Sequence, residues 1–145
     1  VPVVERTIAV DRPPEVVFRF LADFTTTEEW DPPTVSTERT GGDGGVGTTY
    51  HNVAKFLGRR TEVDYVVTDY VEGRRLCLHG AAMGLRMVDT ITVEPTTDGG
   101  SVVTYEARFT PEAEDDPVTL PSMASLGDFL AESLRDSLEH LPSAV

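Results

Sequence analysis

Asp89 stands in the run Leu85 to Val93 (LRMVDTITV), where Leu85, Met87, Ile91 and Val93 share its parity. A carboxylate on such an apolar strand face must be hydrogen-bonded or carry a raised pKa, because unpaired burial of a charge costs several kcal/mol. Two roles fit. One is a structural aspartate held by Tyr105 across the neighbouring strand or by backbone donors near a helix end. The other is an acid/base group or ligand anchor, with Asp89 and Tyr105 moving protons.

Other patterns are weaker. Cys77 and His79, two apart, could begin a metal site, but both belong to the outer face of their strand and no second ligand pair follows, so no metal is expected. Gly42 to Gly47 (GDGGVG) has the letters of a dinucleotide fingerprint, yet a strand follows it where a helix is required. It reads as a flexible loop joining two strands, and no cofactor is expected. No nucleophile elbow occurs, and His140 falls in the last turn of a helix, where a cation suits the dipole.

The elements that must position Asp89 follow from periodicity. Val3 to Val10 reads as a strand, stopped by Asp11-Arg12-Pro13-Pro14, whose prolines suit a helix's first turn. Val17, Phe20, Leu21 and Phe24 have helical spacing, and a second short helix follows with capping-box spacing at Thr25/Glu28 or Thr26/Glu29. Pro32 ends it just after Trp30, the single tryptophan. A helix that short is held by packing, so Trp30 is expected to be buried. Between Val35 and Phe109, β-branched runs alternate with turn signals, which predicts an antiparallel meander of six strands. Met123, Leu126, Leu130, Leu134, Leu138 and Leu141 then form one stripe of a long C-terminal helix.

Turn lengths predict register, since side chains alternate faces. A Glu72-Gly73 turn pairs Val71 with Arg74 and sets Val67 opposite Leu78. A Leu57-Gly58 turn pairs Phe56 with Arg59, Tyr65 with Tyr50 and Val63 with Asn52, leaving His51 outside. Across the TTDGG turn, Val103, Tyr105, Ala107 and Phe109 match the Asp89 face. The inner wall is then apolar, with Tyr50, Asn52, Tyr65, Asp89 and Tyr105 as its polar groups.

Composition bounds the partners. At 145 residues the chain is expected to form one domain, residues 1–145. Twelve Lys and Arg against 25 Asp and Glu give a net charge of −13, which disfavours nucleic acid and anionic membrane surfaces. No apolar run approaches the length of a membrane span, and the start lacks the layout of a signal peptide. With a single cysteine, Cys77, the expected compartment is the cytoplasm.

The order of these elements, with VERTIAVDRPPEVVFRFLADF, EEWDP, VGTTY, GRRTEVDYVVTDY, EGRRL and DGGSVVTYEA, resembles the polyketide cyclase/dehydrase branch of the START-like (SRPBCC) superfamily over nearly the whole chain. The resemblance implies an α+β helix-grip fold: a seven-stranded antiparallel sheet wrapped around the long C-terminal helix, with two short helices after the first strand. It also implies an internal cavity for a small, mostly apolar molecule, lipid-like or aromatic, in a monomer or homodimer that needs no cofactor. The expected lining is Tyr50, Asn52, Tyr65, Val67, Leu78, Met87, Asp89, Tyr105, Met123, Leu126 and Leu130. The alternative is a cyclase or dehydratase that uses Asp89 and Tyr105 as acid and base. Trp30 is expected to plug one end of the cavity.

Overall fold

The computed structural model describes residues 3–56, 59–82, 85–111 and 123–139, with the side chains of residues 56, 59, 82, 111 and 123–130 outside the description. Strand β1 (Val3–Val10) buries Val4, Ile8 and Val10 on one face, as its alternation requires. Helix α1 (Pro14–Ala22) starts at a proline whose missing N–H would have had no partner there. Its buried stripe runs through Val17, Phe18, Leu21 and Ala22. Phe20, expected in that stripe, is only partly buried, and Phe18 takes the core position.

A tight helical turn (Phe24–Thr26) leads into α2 (Thr27–Trp30). The expected capping box does not form. Asp23 caps the turn by accepting from the Thr25 N–H at 3.1 Å, and Glu28 instead accepts from the Thr37 N–H at 2.9 Å, tying α2 to the next strand.

The strands β2 (Thr34–Gly41), β3 (Thr49–Phe56), β4 (Arg59–Val71), β5 (Arg75–Ala82), β6 (Leu85–Pro95) and β7 (Ser101–Pro111) join β1 in one antiparallel sheet of seven strands, in the order β1-β7-β6-β5-β4-β3-β2. Chain neighbours from β2 to β7 are sheet neighbours, and β1 closes the far edge beside β7. The segment from α1 to α2 therefore carries the chain from one edge of the sheet to the other.

Register follows the turn arithmetic with one exception. Phe56 pairs with Arg59, Tyr50 with Tyr65, Asn52 with Val63, and Val67 with Leu78. At the β4–β5 turn, however, Val71 pairs with Arg75 and not Arg74. Three residues make that turn, Gly73 takes a positive φ of 76°, and a bulge between Val67 and Asp69 absorbs the extra residue and restores the frame. The glycine loop joins two strands but is pinned: the Gly47 N–H donates to the Val67 carbonyl and the Val67 N–H to the Thr48 carbonyl, both at 2.9 Å.

Helix α3 (Met123–Glu139) packs against β1 and α2, with Leu134 and Leu138 in the core. Its C-terminal end is tied down twice. Ser137 donates to the Glu29 carbonyl at 3.1 Å, and the Arg12 guanidinium donates to the Glu139 carbonyl. This is the helix-grip fold. The side chains of Met123, Leu126 and Leu130, and residues Leu57, Gly58, His140 and Leu141, lie outside the described residues.

Candidate functional site

The inner face of the sheet changes character along its length. Leu76, Leu78, Ile91, Val93 and Val103 are fully buried, whereas Leu85, Met87 and Phe109 are only partly covered. Asp89, Tyr65 and Tyr105 stand between these two groups.

Asp89 is buried, and its Oδ2 accepts from the Tyr105 hydroxyl at 2.9 Å. Among the described residues no partner reaches its second oxygen. Loss of water raises its pKa to about 7, the Tyr105 bond opposes that rise, and the charge of Asp31 adds to it. Near neutral pH the group can thus hold or release a proton.

Tyr65 is 8% exposed, yet among the described residues its hydroxyl makes one weak contact, 3.9 Å to Met87 Sδ. Gly80 explains its position. Tyr65 pairs with Gly80 across β4 and β5, and a Cβ on Gly80 would come within 2.8 Å and 2.9 Å of the ring's Cδ1 and Cε1. The missing side chain lets the ring lie across β5 toward Met87 on β6. Burial and the charges of Asp89 and Asp31 push the Tyr65 and Tyr105 hydroxyls well above the usual phenol range.

Trp30 anchors this arrangement from α2. It is 1% exposed, its Nε1 donates to Thr26 Oγ1 at 3.1 Å, and its ring meets Tyr105 edge to face with centroids 5.8 Å apart. Phe24 stands beside it and touches Tyr50 and Tyr65 at 5.7 Å and 5.3 Å. These edge-on contacts let aromatic side chains fix one another's tilt.

The next residue, Asp31, was not expected here. Reading Asp-Pro-Pro as a helix stop hid it, although an acid directly after a buried tryptophan is a usable signal. Asp31 is partly buried, and loss of water around its carboxyl raises its pKa to about 6, against an opposing 2.6 Å bond from the Thr34 hydroxyl. A polar chain continues from it: Asn52 Nδ2 donates to Thr34 Oγ1 at 3.1 Å and to Thr37 Oγ1 at 2.8 Å, and Thr37 lies 2.5 Å from Thr27 Oγ1. Alternation alone did not mark Thr27 and Thr37 as buried partners.

Of the expected lining, the fold brings Tyr65, Met87, Asp89 and Tyr105 together. Tyr50 is packed against Phe24, Asn52 gives both amide hydrogens to threonines, and Val67 and Leu78 lie at the closed part of the face. On the outer face, His51 contacts Asp64 at 2.7 Å and Glu62 at 3.0 Å, and these carboxylates raise its pKa. Among the described residues no group of three metal-ligating side chains gathers, and no helix is long and apolar enough to cross a membrane.

A seven-stranded antiparallel sheet gripping a C-terminal helix, with polar groups set into an apolar inner wall, defines a helix-grip protein. The chain belongs to the family described as polyketide cyclase / dehydrase and lipid transport, whose model matches residues 2–145. No curated protein matches it. Among solved structures, a START superfamily protein from Mycobacterium smegmatis is 14% identical with a TM-score of 0.74, covering 94% of each chain. Major latex-like protein 151 from Panax ginseng is 16% identical with a TM-score of 0.73, over 97% of this chain and 98% of its own. A protein from Chromobacterium violaceum is 22% identical with a TM-score of 0.69, over 96% and 99%. At these identities the likeness is one of fold.

Proposed function

We propose that this protein binds a small, mostly apolar molecule between the inner sheet face and α3, with Tyr65, Asp89 and Tyr105 reading its polar end. One observation carries this reading. The partly covered Leu85, Met87 and Phe109 adjoin Tyr65, a buried residue whose hydroxyl, among the described residues, makes only a weak contact with Met87 Sδ. A wall meant only for packing would place an apolar residue there, because a hydroxyl held by a thioether alone regains little of what it loses on leaving water. The family's description, which includes lipid transport, supports the same reading.

A second reading, acid/base catalysis of a ring closure or dehydration, is favoured by Asp89, whose pKa of about 7 and 2.9 Å bond from Tyr105 suit proton transfer near neutrality. One experiment addresses both. A neutral solvatochromic dye should be taken up saturably at one site, be displaced by alkyl or aromatic hydrophobes, and lose about an order of magnitude in affinity in Met87→Trp, which fills the wall. Absence of saturable uptake by the folded protein would refute binding. Aromatic polyketides recovered unchanged after incubation support a carrier, and recovery of cyclised or dehydrated products supports the enzyme.

A further inference from the structure

Burial on the inner face differs from strand to strand at one and the same level. A single row of pairings crosses the sheet from Tyr50 on β3 through Tyr65, Gly80 and Met87 to Phe109 on β7. Its β3–β4 end is closed, with Tyr50 and Tyr65 buried, whereas Met87 and Phe109 are only half-buried. One step toward the rim the contrast repeats: Asn52 and Val63 are buried, and Leu85 is half-buried.

The Tyr65 ring produces this asymmetry. Gly80 gives it room, since a Cβ there would stand 2.8 Å and 2.9 Å from its Cδ1 and Cε1, and its hydroxyl reaches Met87 Sδ at 3.9 Å. The side chain thus starts on β4, crosses the bare position on β5 and ends against β6. It is held there. Phe24 packs on it edge to face with centroids 5.3 Å apart, and Phe24 is itself buried and meets Trp30 at 6.4 Å. Edge-to-face contacts on this scale favour one ring orientation.

The strip of half-buried side chains runs over β6 and β7 and leads to Asp89. On its β5 side Asp89 pairs with Leu78, which is fully buried, and on its β7 side with Ala107, whose side chain is a single methyl. Neighbouring strand backbones lie about 4.8 Å apart, so a hydrocarbon chain, or a single ring on edge, fits over two of them. Fused rings lying broadside need the space above Gly80 that Tyr65 fills. Forcing a side chain out of a packed position is unfavourable.

We propose that Tyr65 sets the width of the site and thereby selects molecules one chain or one ring wide over fused-ring molecules. This inference deepens the ligand-binding reading above and rests on it. Two observations of different kind carry it: the Tyr65 ring fills the position that Gly80 leaves bare, and the half-buried side chains described in these two rows all stand on β6 and β7.

Decanol, butylbenzyl alcohol, and anthracenemethanol with its hydroxymethyl on the central ring are neutral, share one polar group and differ in width. Equilibrium dialysis measures all three. The wild type should bind decanol and butylbenzyl alcohol within about threefold of each other, and anthracenemethanol at least about tenfold more weakly than either, although it carries the most carbon to bury. In Tyr65→Ala the anthracenemethanol-to-decanol affinity ratio should rise at least about tenfold. Tyr65→Val, whose β-branched side chain suits a strand, reads the same shift if the alanine variant does not fold. Tyr65→Phe keeps the ring and should keep the ratio. If the wild type binds anthracenemethanol as tightly as decanol, if the ratio holds in the folded variants that lack the ring, or if it rises as much in Tyr65→Phe, this inference is overturned while the ligand-binding reading stands. If none of the three binds the folded wild type, the ligand-binding reading fails and the inference falls with it.

Discussion

The two halves of the inner sheet face obey the same alternation and do opposite work. Around Leu76, Ile91, Val93 and Val103 the sheet is sealed, with Val17, Phe18 and Leu21 of α1 and Leu134 and Leu138 of α3 in the same core. Around Tyr65, Met87, Asp89 and Tyr105 the same face holds hydroxyls and a carboxyl beside partly covered apolar groups. Among the described residues, aliphatic side chains of α1 and α3 share the core of the first half, whereas Phe24 and Trp30 meet the tyrosines of the second edge-on. Stability concentrates where aliphatic packing is densest, and the aromatic half can then hold polar groups.

That contrast breaks first under truncation of large side chains. Leu138→Ala removes a fully buried side chain from the sealed half and should cost about 2–5 kcal/mol by urea unfolding, since the cavity left behind adds to the lost burial. Met87→Ala removes a partly covered side chain and should cost about 1 kcal/mol or less. Equal losses would mean that the face is one continuous core with no site in it.

An effect of opposite sign is expected at Asp89. Its pKa rises from 3.8 to about 7 on folding, so the folded chain binds that proton more tightly than the unfolded chain does. The stability that the protonated carboxyl contributes is complete below about pH 3.8 and is lost as pH rises through about 7. Asp89→Asn removes the charge and keeps an acceptor for Tyr105. Above pH 7 the variant should therefore be more stable than the wild type, by up to about 4 kcal/mol, and the gap should close toward pH 4. Melting curves of both proteins across that range check the sign. A wild type that is the more stable one at alkaline pH would show that Asp89 is held as an ion by partners stronger than Tyr105.

The sequence makes the sealed half legible because burial there has a period. Leucines four apart on α3 and alternating β-branched residues on β6 and β7 leave few other folds, and short turns carry the register across β3, β4 and β5. The polar half is less legible, because its positions depend on contacts between distant segments. Asp89 stands out as a charge on an apolar face, and Tyr105 follows from pairing across one turn. Asp31 does not stand out, since a half-buried acid at a helix end has the same local signature as a solvated one. The bulge in β4 is also hidden: a three-residue turn and a two-residue turn at Glu72-Gly73-Arg74 differ only in where the extra residue is absorbed.

The finest test of the contrast concerns Gly80, a glycine inside a strand, where it usually weakens the sheet. In the sealed half a bare position would be a void, but here the Tyr65 ring occupies it. An added Cβ would lie 2.7 Å from Val63 Cγ1 and within 2.9 Å of two Tyr65 ring carbons, so both side chains must shift. Crowding of this kind costs about 1–3 kcal/mol, and replacing glycine in a strand returns about 0.5–1 kcal/mol of it. Gly80→Ala should therefore destabilise by about 1 kcal/mol and move the Tyr65 hydroxyl off the polar end of the site. The shift separates positioning from mere packing through a double-mutant cycle. With Tyr65→Ala already in place the ring contacts are gone and the Val63 contact remains, so Gly80→Ala should cost less than in the wild type, a coupling of about 0.5–1 kcal/mol between directly touching residues. Additive effects would mean that the ring does not depend on Gly80 for its place, and the polar half of the face would lose its simplest structural explanation.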